Sequence, residues 1–184
     1  MKRMFIALLL LVYGNRVTFA APQSIVPDAS YLTIHVGKSG LLSAAGHEHT
    51  VIAPIAEGTI EDGPRAGITF QVDASRLVVQ PEEHQSEIQH SMQERVLEIS
   101  RFPHINFASD SVQPDGHDSW IVAGTLMLHG SSKPVRVSVR KVEGKYVGVV
   151  VIKQSDFGIQ PISAAGGAVR VKNELKIDFT ISTK

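Results

Sequence analysis

Glu174-Leu175-Lys176-Ile177-Asp178-Phe179-Thr180-Ile181 decides the fold. Leu175, Ile177, Phe179 and Ile181 alternate with charged or polar neighbours. Successive side chains on a strand point to opposite faces, so a period of two with β-branched and aromatic residues marks a half-buried strand. Working outward, Val135, Val137 and Val139 alternate with Arg136, Ser138 and Arg140. Ile68, Phe70 and Val72 alternate with Thr69, Gln71 and Asp73, and Leu32, Ile34 and Val36 with Tyr31, Thr33 and His35. Turn signals separate these runs at Glu61-Asp62-Gly63-Pro64, Pro114-Asp115-Gly116, Glu143-Gly144 and Gly166-Gly167.

Two further strands are apolar on both faces. Trp120, Val122, Leu126 and Leu128 face one way and Ile121, Ala123 and Met127 the other, and Val147 to Ile152 behaves alike. Such a strand is either covered on its outer face by another element or borders both a core and an apolar cavity. A single helix is expected at about 82–99, because Ile88, Met92, Val96 and Ile99 share one helical face. Pro81 suits the first helical position, and Glu82, Glu83 and Glu87 favour the positive end of the dipole. The helix is expected to cover the sheet or plug one end of a barrel.

The linkers are too short for parallel crossovers, so the strands pair antiparallel. A sheet of about eight strands removes its edges most completely by closing on itself. The expected fold is therefore all-β: an antiparallel, lipocalin-like barrel with one amphipathic helix. An interior of that size has room for one small ligand.

The chain has 184 residues, 43% apolar, with 18 basic residues, 18 acidic residues and no Cys. Its length suits one domain, and its balanced charge offers no footprint for nucleic acid. The lack of Cys removes disulfides, thiolate nucleophiles, Cys-type zinc sites and covalent haem attachment. Met1-Lys2-Arg3, the apolar run Met4 to Tyr13 and the small residues Thr18 and Ala20 read as a signal peptide, 1–20, cut near Ala20. The apolar run is too short to span a bilayer. Its removal takes away Lys2, Arg3 and Arg16, leaving 15 basic residues against 18 acidic ones and a charge of about −3. Residues 21–184 are then one domain, expected in the periplasm or outside the cell. Monomer and homodimer both stay open.

Few residues announce chemistry. Gly46-His47-Glu48-His49 places His47 and His49 two apart, on one face of an extended segment, where both imidazoles could reach one metal. A third ligand would have to come from His35, Glu48 or His129. His84 and His90 lie on different helical faces. No G-x-S-x-G elbow occurs, and Gly37-Lys38-Ser39-Gly40 lacks the spacing of a phosphate loop.

Val122-Ala123-Gly124-Thr125-Leu126-Met127-Leu128-His129-Gly130-Ser131-Ser132-Lys133-Pro134-Val135 resembles the G-x-L-x-x-H-G-x-x-K-P-V signature of YceI-like proteins. Arg101 to Ser109 is similar to that family's P-x-I-x-F-x-S strand, Ser155-Asp156-Phe157-Gly158 to its S-D-F-G element, and Gly58-Thr59-Ile60 to its G-x-I strand end. The matches run in order over roughly 30–182. The resemblance implies a non-catalytic exported protein holding a polyisoprenoid or other amphiphilic lipid in a central apolar cavity. Candidate cavity residues are Phe70, Ile88, Met92, Phe107, Trp120, Leu126, Phe157 and Phe179. His129 and Asp156 are candidate polar groups at its mouth. The chain departs from the pattern at Gln154, where the family commonly has a basic residue, and at Gly46-His47-Glu48-His49 in place of a basic stretch. The alternative reading is a metal- or haem-associated accessory protein using His47 and His49.

Overall fold

Across the wall of the molecule, Val51, Ile34, Ile177 and Val150 stand side by side in one inward row. The row follows from register: alternating strands aligned by their apolar sets turn every such set to the same side. The computed structural model describes residues 21–39, 48–63, 65–80, 83–164 and 169–184. Residues 1–20 and His47 lie outside them, so the cleavage site and the His47–His49 pairing are not seen.

The strands are β1 (Gln23–Ser24), β2 (Tyr31–Val36), β3 (Lys38–Ser39), β4 (His49–Glu61), β5 (Gly67–Asp73) and β6 (Val78–Val79). After helix α1 (Gln85–Ser91) come β7 (His104–Pro114), β8 (Ser119–Leu128), β9 (Ser131–Val142), β10 (Lys145–Lys153), β11 (Ser163–Ala164), β12 (Val169–Val171) and β13 (Glu174–Ile181). Eight of them close a barrel in the order β4-β2-β13-β10-β9-β8-β7-β5, with β5 pairing back onto β4. Every pairing is antiparallel. A small sheet, β11-β12-β3, stands apart.

Sharp turns set the two ends. His129 and Gly130 both have positive φ, as do Glu143 and Gly144, which is the backbone that two-residue hairpins between twisted strands require. One end of the barrel carries the β4–β5, β7–β8 and β9–β10 hairpins. The other carries α1, the small sheet and a 3₁₀ turn at Gln154–Phe157.

The helix is shorter than its periodicity suggests. It begins at Gln85, and from Met92 to Val96 it widens into a π turn, in which Leu97 N–H bonds to the Met92 carbonyl. The wider turn suits residues spaced four apart, so Ile88, Met92 and Val96 all face the barrel interior. Pro81 and Glu82 lie outside the described residues. The flank beside this stripe is tied down by a feature that hydropathy does not register: Gln85, Gln89 and Gln93, also four apart. Gln89 Nε2 donates to the Leu77 carbonyl and Gln89 Oε1 accepts from Val79 N–H, each at 2.7 Å. Gln85 donates to the Val79 carbonyl (2.8 Å) and Gln93 to that of Ser75 (3.0 Å). Gln89→Ala removes two of these bonds and leaves both backbone groups unsatisfied, a loss of about 1–3 kcal/mol. Hydrogen exchange should show faster protection loss in residues 77–96 while the β8–β9 amides are unchanged.

Of the two readings for the doubly apolar β10, neither describes its outer face. Val150 and Ile152 line the interior, but Val149 and Val151 are 48% and 58% exposed. Their register partners Asp178 and Lys176 rim them with charge, so a one-residue stripe of good strand formers is tolerated in solvent.

Candidate functional site

Inward side chains of all eight barrel strands surround a cavity of about 640 Å³. A second inward row explains its shape: Ala53, Leu32, Phe179, Gly148, Val139 and Trp120 run in register from β4 round to β8. Gly148 is required there. A Cβ at this position would lie 2.4 Å from Phe179 Cζ and 2.5 Å from the Ser138 carbonyl. The missing side chain lets the Phe179 ring lie across the wall. Gly124 plays the same part for Phe107, whose ring stands 5.4 Å from that of Phe70. Near the hairpin end, the Trp120 and Tyr146 rings are 5.9 Å apart.

The polar lining groups are few and sit at the ends. His49, Ser91 and Gln154 lie at the helix end, and Glu61 and Asp62 at the hairpin end. Gln154 is 5% exposed, and its side-chain amide donates to the Lys172 carbonyl at 2.8 Å.

Of the residues singled out from sequence, Phe70, Ile88, Met92, Phe107, Trp120, Leu126 and Phe179 line this cavity. Phe157 does not. It is 2% exposed but buried in the core under the Gln154–Phe157 turn. That segment has left strand geometry, so its side chains no longer alternate into the barrel. Asp156, on the same turn, is exposed to solvent and not on the cavity. His129 is likewise not a cavity-mouth group. Its turn directs the ring to Glu98 Oε1 (3.2 Å) and the Phe157 carbonyl (3.3 Å), against the Phe102 ring. It ties the chain after the helix to the β8–β9 turn.

His49 faces inward beside Val36 and Val51. His35, offered as a third metal ligand, is on the outer face and bonds Asp178. His129 is held by Glu98. Among the described residues no group of three His, Asp or Glu side chains is placed to hold a metal ion. Gln85, Gln89, Gln93 and Ser91 are not evident from sequence; an i, i+4, i+8 row of glutamines flanking the apolar stripe is the available signal.

Two carboxyls titrate below their ordinary range. The Arg101 guanidinium bonds Glu98 and lowers it, with a smaller contribution from His129. The Ser75 hydroxyl and N–H lower Asp73, which caps the Ala74–Arg76 turn. Depressed folded-state values contribute stability above the unfolded pKa that is lost as pH falls through the folded one. Thermal stability should therefore drop below about pH 4. The acid-induced loss should be smaller in a Glu98→Gln, Asp73→Asn double variant, checked by melting curves from pH 7 down to 2.5.

A closed antiparallel barrel with an apolar interior and polar groups only at its ends has the form of a carrier of small apolar molecules. Residues 24–183 match the YceI-like domain, and the chain belongs to that family. A UPF0312 protein of Azotobacter vinelandii is 31% identical over 87 residues, 42% of this chain and 45% of the relative, so the match spans less than half of that protein. BcnA of Burkholderia cenocepacia superposes with a TM-score of 0.61 at 16% identity, over 85% of this chain and 98% of its own. A polyisoprenoid-binding domain of Saccharophagus degradans does so with a TM-score of 0.61 at 15% identity, over 86% and 95%. At such identities the likeness is one of fold.

Proposed function

We infer that this chain is an exported, non-catalytic carrier that holds a polyisoprenoid or other amphiphilic lipid in its barrel. The observation that carries this reading is the cavity lining: aliphatic and aromatic along its length, polar only at its ends. Each methylene buried in such a wall contributes about 0.8 kcal/mol, so ten contribute ~8 kcal/mol before ordering costs. A cavity near 640 Å³ lies within the ordinary range for small-molecule sites. Family membership and the fold shared with a polyisoprenoid-binding domain support the ligand class. Export to the periplasm or medium rests on the Met1 to Ala20 pattern alone.

Organic extraction of protein purified without detergent, followed by mass spectrometry, tests the reading. A stoichiometric apolar molecule is expected. Protein that is empty and takes up neither prenyl alcohols nor fatty amides would overturn it.

A further inference from the structure

The cavity has no cation to offer an anion. Among the described residues lining it there is no Lys or Arg, and its two acidic residues, Glu61 and Asp62, lie at the hairpin end. The stretches of the barrel domain outside the description, 40–47, 64, 81–82 and 165–168, contain no Lys or Arg in sequence. Nearby cations stand outside the lining: Lys38 pairs with Val171 in the small sheet, and Lys141 Nζ stands 5.1 Å from the centroid of the Tyr146 ring. Val171 lines the cavity, so its strand neighbours Arg170 and Lys172 face the other way, and both are exposed. Lys133 follows the inward register of Leu126 but is exposed and outside the lining. Arg65, in the β4–β5 turn, is exposed and not part of the lining.

At the helix end the polar groups are a hydroxyl, an amide and an imidazole, from Ser91, Gln154 and His49. These can exchange hydrogen bonds with an alcohol, amide, ester or quinone oxygen. A phosphate or carboxylate placed there would give up its hydration without a countercharge, which is unfavourable in an apolar wall. At the hairpin end it would meet Glu61 and Asp62. Resting on the carrier reading above, we propose that the cavity selects amphiphiles with uncharged head groups and discriminates against anionic lipids of the same chain.

Trp120 is the only Trp and lines the cavity, so its emission reports occupancy. The test titrates the full mature chain with farnesol and with farnesyl phosphate at about pH 8, where imidazoles are neutral as a rule. Farnesol is expected to bind about ten- to a hundredfold more tightly. Ser91→Lys, which puts a cation at the helix end, should narrow that ratio by raising affinity for the phosphate. Equal or tighter binding of the phosphate by the wild type, or an unchanged ratio in Ser91→Lys, would overturn the head-group selectivity and leave lipid binding standing. If neither probe binds, the carrier reading itself fails, and the selectivity with it.

Discussion

Gly148→Val should destabilise the barrel by about 3 kcal/mol, at the upper end of what overpacking costs. Any Cβ at residue 148 meets the Phe179 ring on one side and the Ser138 backbone on the other, both within 2.5 Å. The ring can turn away into the cavity, but the backbone carbonyl of a paired strand cannot move without breaking the β9–β10 register. Valine adds branching to the clash. Denaturant unfolding measures the loss, and Gly148→Val combined with Phe179→Leu separates its two sources. Relief of the ring contact should restore part of the stability, and the remainder belongs to the strand pairing. A Gly148→Val protein as stable as the wild type would mean that the Phe179 ring does not lie over this glycine.

Val150→Trp should have the opposite character: little effect on folding and a large effect on binding. Val150 sits in the inward row beside Ile177, Ile34 and Val51, packed against the core on one side and lining the cavity on the other. An indole placed there occupies space that a ligand needs. Displacing three or four methylenes of a bound chain forfeits ~3 kcal/mol, about a hundredfold in Kd. Melting temperature near that of the wild type, with the affinity for farnesol reduced by that factor, is the expected pair of results. Unchanged affinity would place the bound molecule outside the barrel.

Half of the eight barrel strands, β2, β5, β9 and β13, are legible because one physical signal recurs in each, and β8 and β10 read as strands apolar on both faces. Alternation in Leu175 to Ile181 and its counterparts tells which side chains face inward, and closure follows from the need to satisfy strand edges. Seven of the eight residues chosen for the cavity were on strands or on the helical stripe, where a period governs direction. Phe157, Asp156 and His129 were misplaced for the converse reason. They sit on a 3₁₀ turn and a hairpin turn, where each side chain's direction is set by a few φ, ψ values and by long-range partners such as Glu98. The helix ends short of Ile99 because Glu98 takes positive φ, which the apolar stripe does not register, and its last turn is π because residues spaced by four fit a π turn as well as an α-helix. The glutamine clamp escaped because its partners, the backbone of Leu77, Val79 and Ser75, carry no sequence signal. Gln154 departs from the family pattern and lies on the cavity wall, where such a departure bears on the ligand.

Native mass spectrometry of the wild type and of Val150→Trp, both purified from the same exporting host without detergent, tests the carrier reading most directly. The wild type should carry an adduct of discrete lipid mass that dissociates on activation, and the filled variant should fly at its bare mass. A wild type with no adduct, or an identical adduct on both proteins, would contradict it.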